Sequence, residues 1–349
     1  MALQAAGHDG ELLMAGLTLG VGTAALRLTH PFRISGYLFE NFDTVRVTLS
    51  DGRHQGHGEG GGVYYLGDDV PHMLAALEAG RAAIEAGLSR EELRFAMPAG
   101  GARNAVDCAL WDLEAARSGA PVWQLAGKRP PRALRTTFTL GAETPEVMAA
   151  RAQACVQARA IKIKLTGELD LDLARVRAIR AARPDVWLGV DGNQGYTRAE
   201  LDALVAGLVA HQVALLEQPL RRGCEAELDG YRSPIPIAGD ESILTLADVP
   251  SAVGRFDVVN IKLDKCGGLT EGLMMAAAAR QLGLGVMVGN MGGSSLAMAP
   301  SFVLGQECDI VDLDGPTFLA NDYAPAVDYR DGDVWAGPEI WGARAPGRA

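Results

Sequence analysis

From Ala133 onward the chain repeats one rhythm, a short run of β-branched and apolar residues followed by an alanine- and leucine-rich stretch. The strand candidates are TTFTLG (136–141), AIKIKL (160–165), VWLGVDGN (186–193), VALLEQP (213–219), IPIAGDES (235–242), VVNIKLDK (258–265), GVMVGNM (285–291) and CDIVDLDG (308–315). Strand-then-helix repetition is the signature of parallel βα units. Eight units predict a closed (β/α)8-type barrel. A doubly wound open sheet is the alternative, but it carries fewer units and a phosphate-binding glycine loop. No G-x-G-x-x-G follows the first of these strands.

The segment before the repeat has a different texture. LTLGVG, AALRLTH and TVRVTLS alternate as antiparallel strands do, and Asp51-Gly52 marks a turn. Helical patterns then cover Val70–Ala86, Arg90–Phe95 and Ala102–Ser118. Strands first and helices after predict an α+β capping domain over residues 1–125, with the barrel at 126–323. The glycine- and proline-rich tail, 324–349, carries Trp335 and Trp341 and is expected to return to the first domain, with its last residues, ARAPGRA, frayed. The cluster GEGGG (58–62) reads as a mobile loop rather than a phosphate cradle, because no helix follows it directly.

Composition narrows the function classes. At 349 residues and 48% hydrophobic, the chain has ample material for a large core. Its 43 acidic and 32 basic residues leave a net charge of -11, which argues against a nucleic-acid or anionic-membrane partner. Cys108, Cys155, Cys224, Cys266 and Cys308 are odd in number and widely spaced, so a disulfide framework or zinc ribbon is not expected. No signal peptide or membrane span is legible, and a reduced, cytoplasmic protein is the expectation. Association with copies of itself stays open.

Parallel barrel strands should be apolar, being buried on both faces. Here their C-terminal ends carry charge: Lys162 and Lys164, Asp191, Glu217, Asp240, Lys262, then Asp312 and Asp314. In a barrel these ends meet at one rim, where active sites of this fold are built. Asp191, Glu217 and Asp240 would repel one another without a cation between them. Oxygen-only ligands favour one magnesium ion, with manganese as a substitute. Asn193, read as lying on the strand face of Asp191, would support that site. Lys162 and Lys164 point the same way, so each is expected to depress the other's pKa. Lys262 comes from the opposite side of the ring. Lys265, three residues on, is expected to face the other way or to sit in the loop. A substrate carboxylate on the metal would put its α-carbon between Lys164 and Lys262. One lysine would then take the α-proton, giving an enediolate, and the other would return a proton to the opposite face. A metal-stabilised scaffold or sensor is the non-enzymatic alternative, but buried lysines without a task cost free energy. His54 and His57 do not read as a metal pair, and Asp107 and Asp112 read as structural.

The ordered set resembles the enolase superfamily, within it the muconate-lactonising-enzyme subgroup: a K-x-K on strand two, acids on strands three to five and a lysine on strand six. The run PAGGARNAVDCALWDLEAA (98–116) is similar to a family hallmark where cap meets barrel. On strand eight, Asp312-Leu313-Asp314 looks like the D-x-D with which dipeptide epimerases bind the free α-ammonium. The resemblance therefore implies a dipeptide epimerase that inverts its substrate's C-terminal residue. N-acylamino acid racemase, cycloisomerase or o-succinylbenzoate synthase chemistry is the alternative. Members acting on L-Ala-D/L-Glu tend to carry an arginine in the first mobile cap loop. Here that loop reads HPFRISGYLFENF (30–42), with Arg33 present and Tyr37 at the corresponding position; the second loop adds Tyr64 and Tyr65. By this resemblance Arg33, Tyr37 and Tyr64 bind substrate, and a hydrophobic or aromatic dipeptide stands beside Ala-Glu.

Overall fold

The computed structural model describes residues 16–34 and 36–342, so the terminal ARAPGRA lies outside the described residues. The N-terminal domain is built on a long hairpin. Strand β1 (Thr18–Ile34) pairs antiparallel with β2 (Tyr37–Ser50), which pairs with β3 (Gln55–Gly60). Alternation sends Val45, Val47 and Leu49 of β2 to one buried face. There they join a core with Met73, Leu77 and Ile84 of α1 (Val70–Glu85), Leu93 of α2 (Arg90–Ala96) and the inner face of α3 (Gly101–Ser118). Local chemistry starts the first two helices: Asp69 accepts from the His72 N–H, and Ser89 and Glu92 form a capping box.

Two expectations about this domain are corrected. The GEGGG run is no mobile loop; it completes β3 and the turn after it. A Cβ at Gly56, Gly58 or Gly60 would lie 2.1, 2.0 or 2.1 Å from the carbonyl oxygens of Ala109, Ala105 and Gly101. Every second residue of the strand meets every fourth residue of α3, and only a bare backbone admits that approach. The run 30–42 is likewise not a loop but the far end of the β1–β2 hairpin, with Phe32 opposite Phe39 and Ile34 opposite Tyr37 beyond a bulge after Arg27.

The short helix α4 (Val122–Leu125) leads to β4 (Leu134–Arg135) and the barrel. The barrel runs β5 (Phe138–Leu140), α5 (Pro145–Ala154), β6 (Ala160–Lys164), α6 (Leu169–Ala182), β7 (Trp187–Asp191), α7 (Arg198–Ala210), β8 (Leu215–Glu217), β9 (Ile237–Gly239), β10 (Val258–Ile261), α8 (Leu263–Cys266), α9 (Leu269–Gln281), β11 (Gly285–Val288), α10 (Ser295–Gly305) and β12 (Ile310–Val311). β5 to β12 form one parallel eight-stranded sheet in sequential order. The Thr137 N–H reaches Val311 O at 3.0 Å and the Leu313 N–H reaches Thr136 Oγ1 at 2.9 Å, so the last strand meets the first. All eight expected strands are present, giving a (β/α)8-type barrel beside an α+β domain. The helices are less regular than expected. After β8, β9 and β12 only 3-10 turns form, at Glu225–Leu228, Leu246–Ala252 and Gly315–Phe318. Pro219, Pro234, Pro236, Pro250 and Pro316 break these connections.

Toward the N-terminal ends of the strands, Trp187, Leu215, Ala238, Val258, Met287 and Ile310 plug the interior. The polar site above therefore rests on a packed floor. The tail hairpin, β13 (Asp328–Arg330) and β14 (Asp333–Trp335), pairs with β4, while Trp341 Nε1 donates to His57 O and Cys108 O. Among the described residues no helix is long and apolar enough to cross a membrane, and the five cysteines are unpaired. Gly58→Ala is expected to destabilise the protein by about 1–3 kcal/mol or more in denaturant titrations, because α3 must move. Gly22→Ala, with open space around its Cβ, should stay within about 0.5 kcal/mol.

Candidate active site

On β6 the pleat sends Ile161 and Ile163 outward and Lys162 and Lys164 into the barrel. Lys164 is in register with Asp191, and Asp191 with Glu217. Asp240 follows β9 and Lys262 follows β10. Asp191, Glu217 and Asp240 are buried to 1% exposure or less, and one oxygen from each lies within 4.8 Å of the others.

These residues fit a hard divalent cation. Glu217 Oε1 accepts from Asn260 Nδ2 at 2.9 Å. Its Oε2 is buried and makes no hydrogen bond, although Lys162 Nζ is 2.7 Å away. Burial, and then the charge of Asp191, pushes the Glu217 carboxyl up to about 7. Burial works against the Asp240 carboxylate too, but Lys262 and Lys265 outweigh it and hold its pKa well below the usual range. An all-carboxylate oxygen set of this kind is the donor chemistry that suits a hard divalent cation.

The lysines are distributed over these acids. Lys164 Nζ donates to Asp191 Oδ2 at 2.6 Å, and Lys262 Nζ lies 2.7 Å from Asp240 Oδ2. Lys162 Nζ donates to Asp312 Oδ2 at 2.8 Å and is 3.5 Å from Asp191 Oδ2. The depression expected within the K-x-K pair is not what Lys162 experiences. Burial lowers its pKa, but Asp312, Glu217 and Asp191 outweigh burial and raise it well above the ordinary lysine value.

Lys265 also departs from expectation. Its side chain is fully buried and donates to Asp240 Oδ1 (2.5 Å), Asp240 O (2.6 Å) and Asn260 O (3.0 Å). The strand ends at Ile261, and α8 begins at Leu263. In a helical turn the third residue on returns to the same side. Asn193 is not on a strand face either: its φ is +44°, and its backbone N–H, rather than its side chain, supports Asp191 Oδ1 at 2.9 Å. Gln218, beside Glu217, carries no charge to mark it in the sequence, yet its Oε1 accepts from the Asp240 and Ser242 N–H groups and shapes the loop that presents Asp240.

Asp312 and Asp314 both line a cleft that also contains Lys164, Lys262, Thr139 and Tyr64. Thr137 Oγ1 donates to Asp312 Oδ1 at 2.5 Å, and the Thr139 N–H donates to Asp314 Oδ2 at 2.6 Å. Burial, then Asp312, pushes the Asp314 carboxyl up to about 7. Tyr37 is 43% exposed and packs edge-on to Tyr64, at 4.5 Å between ring centroids. Arg33 has an exposed side chain and is not among the lining residues; its carbonyl accepts from the Ala142 N–H, resting the hairpin on the loop after β5.

The N-terminal domain reaches the segment just beyond Lys262. On α3, Arg103 donates to Cys266 O and Gly267 O and pairs with Glu271 at 2.8 Å. Asn104 Nδ2 donates to Asp264 Oδ1 at 2.8 Å, and Asp107 caps α9 through the Thr270 N–H and hydroxyl. Asp107 and Asp112 are structural, as expected, since Asp112 accepts from the His57 and Gly342 N–H groups.

Residues 21–127 match the family model for the mandelate racemase / muconate lactonizing enzyme N-terminal domain, and residues 147–336 match the enolase C-terminal domain-like model. The chain is 38% identical over 317 residues to the L-Ala-D/L-Glu epimerase of Escherichia coli, covering 91% of this chain and 99% of that protein. It is 34% identical over 328 residues to the hydrophobic dipeptide epimerase of Roseobacter litoralis, covering 89% and 93%. The dipeptide epimerase of Methylococcus capsulatus, solved with Mg and L-Arg-D-Lys, superposes with a TM-score of 0.86 at 30% identity, covering 91% of this chain and 96% of that one.

Replacing Lys265 by Met removes the cation that steers Asp240 while keeping its bulk. The expected result is a magnesium affinity lower by about 10- to 100-fold in titration calorimetry. Unchanged affinity would exclude Lys265 from holding the ligand.

Proposed function

The chain belongs to the mandelate racemase / muconate lactonizing enzyme family of the enolase superfamily, and from that premise we propose that it is a dipeptide epimerase, an isomerase that inverts the α-carbon of its substrate's C-terminal residue. The observation that carries this reading is one cleft, above three buried carboxylates, lined by Lys164, Lys262, Asp312 and Asp314 together.

In this reading Asp191, Glu217 and Asp240 hold magnesium, which when bound supplies Lewis-acid stabilisation of negative charge on a substrate carboxylate. Lys164 comes from strand two and Lys262 from the end of strand six, so they address opposite faces of an α-carbon set between them. One removes the α-proton and the other delivers a proton to the far face, which inverts the centre. Lys162 sits below, tied to Asp312, Glu217 and Asp191, and acts on the field rather than on the substrate. Asp312 and Asp314 receive the free ammonium of the preceding residue. Within this buried acid pair Lys162 meets Asp312, and among the described residues no lysine pairs with Asp314, which has room for a second cation. An N-acylated amino acid brings none, and this favours a dipeptide over the N-acylamino acid alternative. The hairpin tip and Tyr64 close the cleft from the capping domain, residues 1–125 in our division of the chain, over the barrel, 126–323.

Lys164→Ala and Lys262→Ala should each lower epimerisation by at least about 10²-fold. In heavy water one of the two variants should still exchange the α-proton of a single stereoisomer. Normal epimerisation by Lys262→Ala would remove the two-base scheme. Asp314 gains its negative charge as the pH rises through about 7. kcat/KM for free dipeptides should therefore rise over that range, and Asp314→Asn should make the rise shallower, leaving the part set by Glu217. An N-acetylated dipeptide, lacking the ammonium, should be a poor substrate for the unmodified protein.

A further inference from the structure

Aromatic residues are only 6% of the chain, yet six of them form one unbroken series of ring contacts over the cleft. Tyr37 meets Tyr64 at 4.5 Å between centroids, Tyr64 meets Phe39 at 5.2 Å, and Phe39 meets Phe42 at 6.3 Å. Phe42 meets Phe318 at 6.5 Å, and Phe318 meets Phe32 at 4.8 Å. All but Tyr37 line the cleft, together with the apolar Ile34 and Met291. The backbone makes room for this arc. Gly292 has φ +89°, and a Cβ there would lie 2.7 Å from the Phe42 ring.

Charge accounting points the same way. Among the described residues lining the cleft, the cations are Lys164 and Lys262, and each already faces a carboxylate at 2.6 and 2.7 Å. The other charged lining residues, Asp312 and Asp314, are acidic. Arg33, on the same hairpin, has an exposed side chain outside the lining.

We infer that the residue inverted by this protein carries an apolar, preferably aromatic, side chain rather than an acidic one; the inference rests on the dipeptide reading above. The α-carbon has four substituents. Its hydrogen lies along the Lys164–Lys262 direction, its carboxylate faces the acid triad on strands three to five, and its nitrogen leads toward Asp312 and Asp314 on strand eight. The side chain is left with the remaining direction, upward, under Phe39, Phe42 and Tyr64. A carboxylate there would be desolvated against ring faces with no free cation and two further carboxylates in the same cleft. An apolar group would exchange water for the rings.

The test is a ranking in heavy water, with magnesium present, of kcat/KM for L-Ala-L-Phe, L-Ala-L-Leu and L-Ala-L-Glu by deuterium incorporation. The two apolar dipeptides are expected to exceed L-Ala-L-Glu by about 10- to 100-fold. Phe39→Arg, which adds a cation at a half-exposed position, should move the ratio toward L-Ala-L-Glu. Turnover of L-Ala-L-Glu equal to or above the apolar pair would overturn the inference. So would selective loss of L-Ala-L-Glu turnover in Arg33→Ala. Failure of the dipeptide reading has a different signature: no free dipeptide exchanges, while N-acetyl amino acids do. In that case N-acetyl-L-phenylalanine exchanging faster than N-acetyl-L-glutamate supports the apolar side chain, and the reverse order overturns it.

Discussion

Six carboxylates and four lysines share the upper interior of one barrel, and their mutual burial is the constraint that organises the molecule. Asp191, Glu217, Asp240, Glu241, Asp312 and Asp314 are each at most 5% exposed, and Lys162, Lys164, Lys262 and Lys265 lie among them. Burying an unpaired charge costs several kcal/mol, so each lysine is tied to at least one acid. The deficit of positive charge collects at Glu217 and Asp314, whose carboxyls are pushed up to about 7, and at Glu241 beside Asp240, pushed up to about 8. At the first two of these the proposed mechanism brings in a cation, magnesium at Glu217 and a substrate ammonium at Asp314.

Such a site needs rigid supports, since small displacements would exchange partners. Below, the apolar plug from Trp187 to Ile310 fills the barrel. To one side, α3 of the N-terminal domain grips residues 264–271 through Arg103, Asn104 and Asp107. That segment begins two residues after Lys262 and includes Lys265. The glycine row of β3 lets α3 lie close enough to make this grip, and Glu59, between two of those glycines, accepts from the N–H and hydroxyl of Ser294 at the start of α10. The same domain supplies most of the aromatic arc over the cleft. The grip on the segment after Lys262 and most of the ring series over the cleft thus come from one small sheet-and-helix unit.

Much of this was legible in the sequence, because parallel strands have simple rules. A period of two puts Lys162 and Lys164 on one face, and sequential βα order puts Asp191, Glu217 and Asp240 on neighbouring strands. Charge at the end of an otherwise apolar strand has little structural reason to exist outside an active-site rim. These arguments need local spacing alone, and the strand register bears them out. Asp312 and Asp314 were legible in the same way as charge at the end of strand eight, while their role as a D-x-D came from the family resemblance.

The misread features depend on where an element stops or on what packs against it. Lys265 turns back to Asp240 because a helical turn replaces the strand after Lys262, and the spacing rule changes with it. GEGGG has the composition of a mobile loop, and only the approach of α3 shows why side chains are excluded there. The 30–42 run has turn residues and aromatics in loop-like order, yet it pairs as a hairpin because its two halves bond to each other. The sequence by itself determined the barrel, its rim of charge and the separate N-terminal domain, since each follows from periodicity along the chain. Tertiary structure decided which lysine steers which carboxylate, that Arg33 stays outside, and that six aromatic rings meet over the cleft. Those outcomes depend on distances between residues far apart in sequence, which no local pattern encodes.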